Sequence, residues 1–255
     1  MTLLALEFPP VSRLIEWKPI LLRGTPFAVN KVVLLMWAAM IIVLGLFFVV
    51  GRSAKLVPTG AQNLVESIVD FVTDQVILQT MGPEGLFWTP FLVAMFTFVF
   101  ICNIFEVIPL IQMPVNARMA LPAFMALIVW IIYNSIGLRE QGFVGYMRST
   151  LGLDLGVPLG ILVILLPIEF VSNILIRPFS LAVRLFANML AGHLILATFA
   201  VLTAALFSAT YIGAVLPGSL LAILFGFEVF VSALQAYIFA ILTAVYIGLA
   251  MHPEH

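Results

Sequence analysis

From Pro217 to Met251 the chain carries a single charged side chain, Glu228. From Val157 to Ala204 it carries Glu169, Arg177 and Arg184, with His193 as one further ionisable group. As helices rising 1.5 Å per residue, these stretches would measure about 50 and 70 Å, against a bilayer hydrocarbon core of ~30 Å. Upright spans cannot use that length. Such segments either break or lie strongly tilted as a long hairpin, with its turn near Ser208 to Gly218. Pro167 and Pro178 permit kinks without forcing them. Tilt is the expected outcome.

The rest of the chain is almost as poor in charge. Of 255 residues, 64% are hydrophobic and 9% charged, with a mean hydropathy of +1.22. A soluble domain carries about 25% charged residues, and the 11 basic and 12 acidic side chains here cannot clothe a globule. So much apolar surface also excludes disorder. A net charge of −1 provides no field for nucleic acid. The single cysteine, Cys102, has no partner for an internal disulfide. The composition is that of an all-α integral membrane protein.

One membrane domain over 1–255 is expected, with about five membrane helices and one interfacial amphipathic helix. Residues 1–31 read as an irregular or interfacial lead-in, broken by Pro9, Pro10, Pro19 and Pro26. The run at 32–51 exceeds a signal-peptide core and reads as the first, uncleaved span. Further spans are placed at 85–108 and 119–138, and the arms of the hairpin at 157–204 and 217–251. At 63–80, Leu64, Ile68, Phe71, Val72 and Leu78 recur at helical spacing, while Glu66, Asp70, Asp74 and Gln75 take other faces. That pattern predicts an interfacial helix whose acidic face suits a protein neighbour better than anionic lipid. Basic residues divide five to four between the two sides of a five-crossing topology, so charge alone leaves orientation open.

Ionisable groups at membrane depth cost several kcal/mol unless paired or hydrated, so they mark function by default. Arg184 is the sharpest case, because its guanidinium stays charged at any relevant pH. It either pairs with Glu169 or Glu228 in a structural ion pair, or faces a passing anion or ion path. Asn188, one turn on, and Arg177, two turns back, share its face. His193, nine positions on, points the opposite way. On the last helix Glu228 and Gln235 share a face, with Ser232 between them. A His193–Glu228 pair would serve equally as a proton relay or as a buried clamp between helices.

The stretch RPFSLAVRLFANMLAGH from Arg177 to His193 resembles the signature of subunit a of rotary F-type ATP synthases. LQAYIFAILTAVYIGL from Leu234 to Leu249 resembles that family's final helix, and NIFEVIP from Asn103 to Pro109 the end of one of its earlier spans. The order of elements also agrees, from about residue 32 onward.

The resemblance implies a role for each position. Arg184 matches the essential arginine facing the carboxylates of a rotating c-ring. Asn188 and Gln235 match its polar neighbours. His193 and Glu228 match a pair in the outer proton half-channel, with acid and imidazole exchanged relative to many bacterial members. Glu169 resembles the inner half-channel acid, one residue further from the arginine than in several relatives. Glu106 stands where the family often has an acid. Implied partners are the c-ring, the peripheral-stalk subunit b and the lipid bilayer. The implied function is proton translocation coupled to ATP synthesis in a bacterial plasma membrane, or alternatively the mitochondrial inner membrane. Whether the ion is H⁺ or Na⁺ is set by the ring.

No P-loop surrounds Lys18, Lys31 or Lys55, so direct nucleotide binding is not expected. No HExxH motif or Cys/His cluster suggests a metal or cofactor, and no active site of the chain's own is expected. His252 and His255 in the tail read as solvated, and GLDLGVPLG from Gly152 to Gly160 as the loop that opens the hairpin. A secondary transporter would carry internal repeats, and an intramembrane enzyme a nucleophile with its base. Neither pattern is present.

Overall fold

The computed structural model describes residues 20–21, 24, 28–52, 55–108, 111–150, 159–209 and 211–251. Seven helices carry the described chain. They are α1 (Lys31–Arg52), α2 (Ala61–Val72), α3 (Thr89–Ile104), α4 (Ala120–Thr150), α5 (Leu159–Val171), α6 (Arg177–Ala209) and α7 (Tyr211–Met251). Among the described residues the only extended pairing is an isolated bridge between Leu21 and Val29. Most of the predicted lead-in lies outside the described residues, as do GLDLGVP at 152–158 and the tail histidines.

Five stretches are long and apolar enough to cross a membrane: Lys31–Arg52, Pro83–Ile104, Ala120–Thr150, Ile164–Phe207 and Tyr211–Met251. Their outward surfaces are hydrophobic, as a lipid solvent demands. Ile41, Phe48, Phe124, Ile131, Phe179, Ile212 and Phe230 are all at least half exposed. The last two stretches hold 44 and 41 residues. At 1.5 Å per residue they measure about 60–65 Å, twice the core thickness, without a break inside either.

The arms of the hairpin reach further than the residue pattern indicates. The first is helical to Ala209, and the second begins at Tyr211, six residues before Pro217. A proline inside a helix opposes the carbonyl four residues back. Here that residue is Gly213, and membrane helices accommodate such a lesion. In the first arm the departure from α geometry falls between Pro167 and Pro178, as one π-helical turn over Ser172–Ile176.

Chain contacts group the structure into two compact units. The first comprises Met1–Phe48, Thr97–Arg118 and Phe186–Ala236. The second comprises Val49–Phe96, Met119–Leu185 and Tyr237–His255.

In the first unit, the end of α3 turns back through Phe105 and Val107 into a short 3-10 turn at Val115–Ala117. Asn116 there donates to Asn103 at 2.6 Å, and Asn103 donates to the Ser232 carbonyl of α7 at 3.4 Å. The Lys31 ammonium closes the same region by donating to the Ile111 carbonyl at 3.0 Å.

In the second unit, α2 continues through a π turn at Thr73–Ile77 to Thr80. It is amphipathic, but its buried face is Gln62, Val65, Val72, Val76 and Ile77. Leu64, Phe71 and Leu78, part of the predicted apolar stripe, form a second, exposed stripe, and Asp70, Asp74 and Gln75 lie exposed beside it. A helix with one apolar face packed and another open suits an interfacial position. α4 is kinked at Gly142, whose φ of 69° lies in the region open to glycine. The kink folds Tyr146 back over Gly137, with its hydroxyl donating to Asn134 at 2.6 Å.

Candidate functional site

In the first unit two acids are buried. Glu106, in the turn after α3, is 2% exposed, and Glu228 on α7 is 5% exposed. His193 Nδ1 on α6 stands 3.6 Å from Glu106 Oε1. That separation is too long for a hydrogen bond and short enough for an ion pair once the imidazole is protonated. The nearest charge partner of His193 is therefore Glu106, 87 residues earlier in the chain. Glu228, the partner that residue spacing suggested, lies against Gly192, one residue before the histidine.

The glycine matters for that contact. A Cβ on Gly192 would fall 2.5 Å from Glu228 Oε1 and 2.7 Å from Cδ, so the carboxylate occupies the space of the missing side chain. Alanine in a helix interior ordinarily gains up to about 1 kcal/mol over glycine, whereas overpacking costs about 1–3 kcal/mol. Gly192→Ala is therefore expected to destabilise the protein and displace Glu228. Gly226→Ala, on α7 with no atom near its Cβ, is expected to be neutral or mildly stabilising. Thermal unfolding in detergent distinguishes them, and equal effects would mean that Glu228 moves aside freely.

Several polar atoms here lack a hydrogen-bond partner among the described residues: both carboxylate oxygens of Glu106, Glu228 Oε2 and the Ser232 hydroxyl. Buried polar atoms in native proteins are almost always satisfied, and water supplies what side chains do not. A turn further along α7, Gln235 is buried and accepts a hydrogen bond from the Asn188 amide of α6. The predicted residues Glu106, Asn188, His193, Glu228, Ser232 and Gln235 thus share one unit, joined there by Asn103.

Arg184 is on the exposed face of α6, and among the described residues none forms an ion pair or hydrogen bond with it. Ala187, Asn188 and Ala191 are exposed beyond it, while Leu181, Leu185 and Met189 are buried. Its neighbours on the open stripe are short, so another helix can approach closely.

The second unit holds the remaining candidates. Glu169 is half-buried on α5 and accepts a hydrogen bond from the Asn173 amide at 3.2 Å. The same amide donates to the Thr150 carbonyl at 2.8 Å. Arg177 does not join them, its guanidinium lying 5.6 Å from the centroid of the Tyr246 ring in a cation–π contact. Asn103 and Asn173 are not singled out by charge, and their hydrogen bonds to the Ser232 and Thr150 carbonyls join positions far apart in the chain. No group of three potential metal-ligating side chains occurs among the described residues.

A family model described as ATP synthase A chain matches residues 33–248. The chain is 40% identical over 248 residues to the ATP synthase subunit a of Parafrankia sp. (strain EAN1pec), covering 94% of this chain and 82% of that one. It is 37% identical to the subunit a of Rhodococcus erythropolis, over 92% of this chain and 87% of the relative. With the subunit a of Streptomyces lividans it shares 40% identity, over 89% of this chain and 81% of the other.

Proposed function

This chain belongs to the ATP synthase A chain family, and we propose that it is the stator that carries protons past a rotating ring of c subunits, coupling their flow to ATP synthesis. Bacterial relatives and five long apolar helices identify a multi-pass protein of a bacterial plasma membrane. The observation that carries the proposal is Arg184. A permanent cation on an apolar helix needs an anion or water beside it, and none of the described residues supplies an anion. The ring carboxylate is the counter-charge that fits the short-residue stripe around it.

The mechanism follows from electrostatics. A proton from outside passes the hydrated Glu106, His193 and Glu228 group to a ring carboxylate and neutralises it, which lets the carboxyl enter lipid. After nearly a full turn the carboxyl meets Arg184 from the other side. The fixed positive charge favours the ionised form, and the proton leaves inward past Glu169 and Asn173. Arg184 also opposes a direct leak, because it repels a proton that has not been carried by the ring. Asn188, one turn beyond the arginine on α6, is held by Gln235, and Ser232 extends the acid-lined path. Each charge moved is worth about 2.3 kcal/mol per 100 mV, so several must cross for each ATP. Tilted arms of this length lay a long face along the ring. Peripheral-stalk subunit b would keep the chain from turning with it.

Reconstitution tests this reading. Vesicles holding the purified chain alone should transport no solute and conduct few protons, whereas vesicles with the whole complex should pump on addition of ATP. Omitting this chain should abolish pumping. Solute uptake by the chain alone would instead identify a self-contained transporter.

A further inference from the structure

We propose that the π turn at Ser172–Ile176, braced by Trp130 and Tyr133 of α4, sets the register of Glu169 relative to Arg184, which makes the two aromatic residues positioning residues of the inward proton path. The proposal rests on the function proposed above and adds a device to it.

Backbone accounting leads to the brace. The Arg177 N–H donates to the Ser172 carbonyl, five residues back, so the Asn173 carbonyl loses its usual donor. The residue four beyond Ile174 is Pro178, which has no N–H, so that carbonyl is deprived as well. Two adjacent carbonyls at membrane depth need replacement donors. Each has one: the Tyr133 hydroxyl donates to Asn173 at 2.9 Å, and the Trp130 indole N–H donates to Ile174 at 2.9 Å. Both come from the same face of α4, one turn apart. Asn173, held by its backbone in this way, turns its amide to the Glu169 carboxylate and the Thr150 carbonyl.

The rotation explains what the device achieves. An α-helix turns about 100° per residue, so adding one residue between Glu169 and Arg184 would swing the acid more than a quarter of the way round. A turn closed five residues back rather than four takes in one extra residue. The 15-residue separation of Glu169 and Arg184 therefore presents the acid as an unbroken helix one residue shorter would.

The test is ATP-driven proton pumping by the whole complex in inverted membrane vesicles, with assembly checked for every variant. Trp130→Phe keeps an aromatic ring and removes the donor. It is expected to lower pumping about tenfold, the scale for removing a hydrogen bond that positions a group on a proton path. Deleting Leu175 converts the turn to α geometry. Arg177 then stands four residues beyond Ser172, and the Phe179 N–H reaches Ile174, while Pro178 still leaves Asn173 bare. The deletion should therefore restore pumping to Trp130→Phe and fail to restore it to Tyr133→Phe. A purely structural loss would not be repaired by shortening the helix. If the deletion blocks assembly, Trp130→His decides, since it returns an N–H donor. Recovery supports the brace, and loss equal to that of Trp130→Phe overturns it. Wild-type pumping by Trp130→Phe, or an assembled deletion that restores nothing, also overturns the device. Glu169→Gln separates the levels: normal pumping there removes the inward-path assignment and this proposal with it. Its loss alongside unaffected Trp130→Phe overturns the register device alone.

Discussion

Arg184→Ala is expected to assemble into an intact complex and to lose ATP-driven proton pumping by at least about a hundredfold, the scale for deleting a charge that stabilises a reacting site. Assembly should survive because the side chain is exposed and no described residue bonds to it, and surface substitutions of that kind shift stability by about 0.5 kcal/mol or less. Passive proton flux should rise, since the charge that opposes a direct leak is gone. Arg184→Lys sharpens the comparison. Lysine keeps a positive charge but presents a compact, strongly hydrated ammonium that can lose its proton in an apolar setting. It should therefore recover only part of the pumping and leave some of the leak. Pumping and passive flux in the same vesicles check both variants. Normal pumping by an assembled Arg184→Ala complex would make the arginine structural and end the half-channel mechanism.

What the chain reveals before folding follows from how local each signal is. Charge scarcity over long windows marks all five spans, because the cost of burying an ion applies residue by residue. Arg184 announces itself in the same way. The ends of the hairpin arms are harder to read. Ser208, Pro217 and Gly218 are turn formers in water, yet the second arm is helical from Tyr211, since a lipid solvent penalises an unpaired backbone more than a proline. The apolar face of α2 is only half legible for a related reason: in a helix bordered by protein on one side and lipid on another, hydrophobicity does not say which stripe is packed. Glu106 and His193 meet only because the chain folds back after α3, and no spacing rule links positions so far apart. The π turn lies in SNILI, an apolar stretch without periodic signal. The 15-residue separation of Glu169 and Arg184 is visible in the sequence, whereas the wider turn between them is not.

Glu106→Gln is the substitution on which the outer path depends most directly. Glutamine keeps the size of the side chain and removes its charge, so packing in the turn after α3 should persist. Pumping is expected to fall at least about tenfold, a modest value for removing a group that passes protons. The expectation rests on burial, on the 3.6 Å approach to His193 and on two carboxylate oxygens with no hydrogen-bond partner among the described residues. Glu228→Gln should cost at least as much. Combining the two should cost little more than the worse single change, because groups that share one proton route do not contribute independently. Stability should move the other way. Burying a carboxylate carries a desolvation cost that a neutral side chain of the same size avoids, so Glu106→Gln should unfold at the same or a higher temperature than the parent complex. Loss of pumping with stability kept or raised is the signature of a residue retained for transport. Unchanged pumping with lowered stability would instead make Glu106 a clamp on His193, and the outer path would then run through Glu228 without it.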